Sequence, residues 1–130
     1  MIFEMRTYSF FPADLPKYLK HAEDVGRLVR GNNYGVNCGY WTSEFGRLNQ
    51  VWHLWQYESY AQRDELRAKL SQNKDWVDCY LPVVQEWVRR MDIRIMKPHL
   101  FVPPRGAGNV YEYRYYRCAV GKAENWIMHF

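Results

Sequence analysis

The sequence predicts an α+β fold: a ferredoxin-like module of order β-α-β-β-α-β, followed by part of a second copy. Three observations carry this expectation. Apolar residues recur at every second position over 2–8, 50–57 and 88–96, and at three- and four-residue steps between those runs, which are the periods of strands and helices. The opening run Ile2-Phe3-Glu4-Met5-Arg6-Thr7-Tyr8 returns 108 residues later as Val110-Tyr111-Glu112-Tyr113-Arg114-Tyr115-Tyr116, so that Glu4, Arg6 and Tyr8 reappear as Glu112, Arg114 and Tyr116. At the same offset Leu15, Tyr18, Leu19 and His21 fall on Ala123, Trp126, Ile127 and His129. Between the copies, Pro98, Pro103, Pro104, Gly106 and Gly108 mark a connecting stretch. The expected organisation is one module over 1–102, a linker over 103–109 and, at 110–130, the first strand and helix start of an incomplete second repeat.

The first strand covers 2–8, with Phe3, Met5 and Thr7 on one face and Ile2, Glu4, Arg6 and Tyr8 on the other. From Asp14 the spacing becomes helical: Leu15, Tyr18, Leu19, Ala22, Val25, Leu28 and Val29 form the apolar stripe. Asp14 is the expected cap, Pro16 occupies the first turn, and Gly31-Asn32-Asn33 ends the helix. A hairpin follows, about Val36 to Ser43 and Gln50 to Tyr57, turning around Gly46. Ser59 and Gln62 form a capping box for a helix that runs to about Leu70. Asn73 caps a shorter helix bearing Trp76, Val77 and Tyr80, which Pro82 disturbs because it lacks an amide hydrogen and crowds the preceding turn. The last strand runs from about Val88 to Met96, with Met91, Ile93 and Ile95 opposite Arg90, Asp92 and Arg94.

This order implies a four-stranded antiparallel sheet with helices on one face. Phe3 and Met5, with Met91, Ile93 and Ile95, are expected under the helices, leaving Glu4, Arg6, Tyr8, Asp92 and Arg94 on the open face. Either side of the third strand, Trp52 with Leu54 and Gln56 or Val51 with His53, Trp55 and Tyr57, is apolar enough to meet the helices. Charges mixed with rings are costly to bury unpaired and too apolar to leave wet. A second sheet would close a barrel over them, with Glu4, Arg6, Asp92 and Arg94 as structural charge pairs. The broken repeat does not supply that sheet, so a homodimeric α/β barrel is expected through the first module. Residues 110–130 are expected to be loosely held, or added as an edge strand to another copy.

Composition narrows the function classes. The chain has 130 residues, 48% hydrophobic and 25% charged, which fits one ordinary globular domain. Its 6 Trp and 11 Tyr are the unusual feature, and such rings fill cores, line pockets or anchor interfaces. A net charge of +4 is spread among acids without a run, which argues against a nucleic-acid partner. Cys38, Cys79 and Cys118 are isolated and odd in number, which points to a reducing compartment rather than a disulfide frame. The four histidines show no ligand spacing, so no metal and no cofactor are expected. No apolar run approaches a membrane span, and a strand pattern directly after Met1 leaves no room for a leader, so cytoplasmic residence is expected.

The best candidate site is His53 with Tyr40, Trp55 and Tyr57 on the hairpin, and Arg6 and Tyr8 on the first strand. His53 and Arg6 are the catalytic candidates, as acid–base group and anion stabiliser. Tyr8, Tyr40, Trp55 and Tyr57 would line a pocket for a small aromatic ligand. An enzyme reading requires a cavity with convergent polar groups; an assembly module requires a filled barrel and paired charges.

The run from Gly39-Tyr40-Trp41-Thr42 through Asn49-Gln50-Val51-Trp52-His53-Leu54-Trp55-Gln56-Tyr57, together with Phe3-Glu4-Met5-Arg6-Thr7-Tyr8, Gln62-Arg63, Trp76 and Met91-Asp92-Ile93-Arg94-Ile95-Met96, resembles the NIPSNAP family. The family usually has Glu-Ser-Arg where this chain has Asp92-Ile93-Arg94, which keeps the acid and the base. The resemblance implies a dimeric α/β barrel, in a superfamily that also holds small monooxygenases, haem-degrading enzymes and lactone isomerases. It implies a binding or assembly module; the alternative is a small cofactor-independent monooxygenase or isomerase, or a binder of an aromatic molecule. Eukaryotic relatives are mostly mitochondrial.

Overall fold

The computed structural model describes residues 1–100, 106 and 108–129. Strands β1 (Ile2–Ser9), β2 (Val36–Thr42), β3 (Gln50–Tyr57) and β4 (Arg90–Met96) form one antiparallel sheet in the order β2-β3-β1-β4. Helix α1 (Leu15–His21) continues through a π-helical turn, Ala22–Gly26, into α2 (Arg27–Arg30). Helix α3 (Tyr60–Ser71) follows the hairpin, and a second π-helical segment, Asp75–Tyr80, runs into α4 (Leu81–Trp87). A short α5 (Ala123–Met128) lies near the chain end.

Local chemistry explains most of these limits. Ser59 Oγ accepts from the Gln62 amide at 3.1 Å, and Gln62 Oε1 accepts from the Glu58 amide at 2.8 Å, which satisfies two exposed donors at the start of α3. Asn73 Oδ1 accepts from the Trp76 amide at 3.1 Å and so opens the second helical run. Asp14 occupies the cap position of α1 but caps nothing; its carboxylate takes Lys17 Nζ at 3.1 Å instead. Pro82 lies in the first turn of α4, where a missing amide is tolerated, so the helix widens before it instead of stopping.

The face assignment of β1 is the reverse of the expectation. Tyr8 and Val51, which pair across β1 and β3, pack with Tyr18, Ala22, Tyr80 and Val84 of the helices. By strand alternation Glu4 and Arg6 also face the helical layer, whereas Phe3, Met5 and Leu54 cluster with Trp41, Trp52 and Met96 on the opposite face. The two charges tolerate this position because Arg6 Nη1 donates to Glu4 Oε1 at 2.7 Å and Arg63, from α3, donates to Glu4 Oε2. In β4 the side is as expected but the burial is not: Met91, Ile93 and Ile95 pair with Tyr8, Arg6 and Glu4 on the helix side, yet Met91 and Ile93 are exposed and only Ile95 packs against buried residues, Ile2, Trp55 and Tyr57. The expected Asp92–Arg94 pair does not form. Asp92 takes a two-pronged bond from Arg90 at 2.8 and 2.9 Å, and the Arg94 guanidinium sits 5.1 Å from the centre of the Tyr115 ring.

No strand forms at 110–116. Its odd positions turn instead toward the open face, where Tyr111 meets Trp41 at 5.7 Å and Tyr113 meets Trp52 at 5.1 Å between ring centres. The period of two survives without a ladder, because aromatic contacts across the sheet replace pairing along its edge.

Candidate functional site

The candidate site lies between the sheet and the helices, where a cleft of about 1190 Å³ opens. Sequence and local distortion place its walls. In a regular helix, residues four apart drift about 40° per step around the axis; the wider π turn at Ala22–Gly26 takes part of that drift back. Tyr18, Ala22, Gly26 and Arg30 are the buried residues of this helical run, one every four positions. A Cβ at Gly26 would come within 2.6 Å of Tyr80 Cε2, so glycine there lets the two π segments approach each other across that ring.

A bulge places Tyr40. The β2–β3 register slips between Asn37 and Gly39, which sets Tyr40 opposite His53 and therefore on the cleft side. Without the extra residue, alternation from Val36 would have turned Tyr40 to the other face.

His53 is 3% exposed, with the Tyr8 and Tyr40 ring centres each 4.8 Å away. Its Nδ1 accepts from Trp55 Nε1–H at 2.6 Å. An indole nitrogen only donates, so the imidazole proton resides on Nε2. Nε2 is buried and has no partner among the described residues. Burial, then the Arg6 and Arg30 charges, hold the His53 pKa well below its ordinary value, and the ring is neutral. In this tautomer His53 offers a hydrogen bond to the cleft through Nε2–H.

Arg6 lines the cleft but is committed: it holds Glu4 and donates Nε–H to Tyr8 Oη at 2.9 Å. Tyr8, Tyr40 and Trp55 also line it, as expected; Tyr57 does not. Its hydroxyl instead accepts from Arg30 Nη2 at 3.1 Å. Tyr18 and Tyr40 hydroxyls lie 2.6 Å apart, with Tyr80 donating to Tyr18 at 3.5 Å. Burial raises the pKa of all three, that of Tyr80 to about 12, so they remain neutral phenols.

Arg30, Tyr18, Trp76 and Tyr80 are the site residues that sequence reasoning missed. The four-residue spacing Tyr18-Ala22-Gly26-Arg30 was the available signal, since it carries two small residues between two long polar-tipped ones. Among the described residues no three His, Cys, Asp or Glu side chains converge as a metal site, and no helix is long and apolar enough to cross a membrane.

A four-stranded antiparallel sheet of this order, layered with helices over a cleft, defines a ferredoxin-like α+β module. An antibiotic biosynthesis monooxygenase shares that fold at a TM-score of 0.53 and 10% identity, over 75% of this chain and 98% of that one. The chain belongs to the NIPSNAP family, whose model matches residues 3–103. A NIPSNAP family protein of Agrobacterium tumefaciens superposes with a TM-score of 0.74 at 31% identity, over 80% of this chain and 98% of that one. A NIPSNAP domain protein of Burkholderia xenovorans gives 0.73 at 29%, over 80% and 100%. Human protein NipSnap homolog 3A is 34% identical over 82 residues, 62% of this chain and 32% of that protein. Mouse protein NipSnap homolog 3B is 30% identical over 72% of this chain and 37% of its own length. The chain thus spans about a third of these two relatives.

Proposed function

We propose that this chain is a binding module whose cleft holds a small aromatic molecule and whose open sheet face serves assembly with a second copy. The observation that carries the first half is the His53 Nε2–H, buried and unpartnered on the wall of a cleft of about 1190 Å³. A buried donor without an acceptor is costly, and in a cleft of this size water or a bound molecule supplies one. The rings of Tyr8, Tyr40 and Trp55 from the sheet and of Trp76 from the helical layer suit a flat partner. The second half draws on the cluster of Phe3, Met5, Leu54, Trp41 and Trp52, an apolar face that Tyr111 and Tyr113 of the same chain cover and that a second copy would take in their place. The three cysteines are unpaired, in keeping with a reducing, cytoplasmic compartment.

We also read residues 110–129 as the opening of a second repeat. The Arg114–Glu112 pair at 2.8 Å repeats Arg6–Glu4, and the Tyr116–Trp126 ring contact at 4.8 Å repeats Tyr8–Tyr18.

A cofactor-independent enzyme acting on the same ligand is the second reading. It is favoured by donors on one wall, which would hold a developing enolate or phenolate. Native mass spectrometry of protein purified without stripping tests the proposal. A dimer with a retained small mass is expected. A bare monomer at micromolar concentration overturns both halves, and a retained mass that changes on incubation favours the enzyme.

A further inference from the structure

The charge of the cleft is one-sided. Its charged lining comprises Arg6, Arg27, Arg30 and Arg67 against a single carboxylate, Glu23, which is exposed. Arg6 is compensated by Glu4. Arg30 is not. It is 5% exposed, and its Nη2 donates only to neutral oxygens, Tyr57 Oη at 3.1 Å and the Tyr34 carbonyl at 3.4 Å. Among the described residues its Nε has no partner and no carboxylate lies within ion-pair distance. Burial lowers the Arg30 pKa, as it does for a cation that has lost water without gaining an anion.

Stacking on Trp55, with the guanidinium carbon 3.4 Å from the ring centre, offsets part of that cost. A buried guanidinium without a counter-charge is still one of the costlier features a fold can carry. The neighbouring orphan is of the same kind: His53 Nε2 is also a donor. Tyr40 can add a third: either hydroxyl of the Tyr18–Tyr40 pair can donate, and when Tyr18 does so the Tyr40 hydrogen is left for the cleft. The unsatisfied groups thus ask for a negatively charged acceptor, and the surrounding walls are rings.

We propose that the cleft takes an aromatic acid, its carboxylate on Arg30 within reach of His53 Nε2–H and its ring among Tyr8, Tyr40, Trp55 and Trp76. This deepens the cleft reading above and rests on it. Arginine is the residue suited to the task, since its planar fork matches a carboxylate with two parallel bonds.

The test is calorimetric titration of the full chain with 2-naphthoate and with 2-naphthamide, which has the same ring without the charge. The acid is expected to bind about tenfold tighter than the amide or better. In Arg30→Met the two should bind within about twofold of each other, while the unliganded variant melts no lower than the unmodified chain, because an uncompensated charge has been removed. The acid–amide ratio on the unmodified chain decides the inference without any variant. Equal binding of acid and amide overturns it and leaves the cleft reading standing. Binding of neither overturns both, and an undiminished preference in a folded Arg30→Met variant removes Arg30 from the role.

Discussion

Replacing Glu4 by Gln tests the charge cluster beneath the helices. Glu4 is 0% exposed and holds Arg6 on one oxygen at 2.7 Å and Arg63 on the other. Arg63 is partly exposed and regains water when released, so its share is small. Arg6, 6% exposed, would keep only the Tyr8 hydroxyl. Stranding one partner of a buried pair costs about 3–5 kcal/mol, and with Arg63 discounted the lower end, about 3 kcal/mol, applies. With a urea slope of about 1.5 kcal/mol/M for a small domain, the midpoint should fall by about 2 M at unchanged slope. The double variant Glu4→Gln/Arg6→Met should recover most of the loss, because no charge is left stranded. Acid adds a second readout. Burial raises the Glu4 pKa, but Arg6 and then Arg63 outweigh it and hold the carboxyl below its ordinary 4.5. A depressed carboxylate stabilises the fold above its unfolded pKa, and that contribution is lost as pH falls below about 4.5. The variant should lack this component. A loss under about 1 kcal/mol, the size of an exposed pair, would refute the buried-cluster account.

Further outcomes follow from the same geometry. Because the folded His53 pKa lies below its ordinary 6.5, the unfolded chain takes up the proton first. Stability is therefore full above about pH 6.5 and declines below it, by up to about 1.4 kcal/mol per pH unit, and His53→Gln should flatten urea midpoints between pH 7 and 5.5. Gly26→Ala drives a methyl into the Tyr80 ring, now 2.6 Å from the ideal Cβ; a loss of about 1–3 kcal/mol and a changed tyrosine near-ultraviolet dichroism are expected. Trp52→Glu places a charge in the open-face cluster; under the proposed assembly, light scattering should find the unmodified chain dimeric and this variant monomeric at the same concentration.

The four strands of the sheet and the caps at Ser59 and Asn73 were legible because they depend on neighbours in sequence. Alternation located β1 and β3, and Ser59 and Asn73 announced the helices they cap within three residues. The sidedness of β1 was not legible. Acid and base two residues apart read as solvated by default, and what buries them is Arg63, 59 residues from Glu4. Tyr40 was expected in the pocket, yet plain alternation does not carry it there; the slip after Asn37 does, and a one-residue bulge leaves no mark in composition. Arg30 was passed over because a charge at the end of a helix suits the dipole and the solvent, whereas the π turn rotates it under the layer.

The covering of the open sheet face has a consequence for the order of synthesis. Strands β1 to β4 can pair once Met96 has left the ribosome, but the rings that lie over Trp41 and Trp52 belong to Tyr111 and Tyr113, which emerge later. At about 5–20 residues per second, ribosomes take roughly one to four seconds to add that stretch. During this interval the nascent sheet presents two tryptophans to whatever is nearby, including a sister chain on the same message. Under the proposed assembly, a sister chain would thus reach this face before the chain's own tail does.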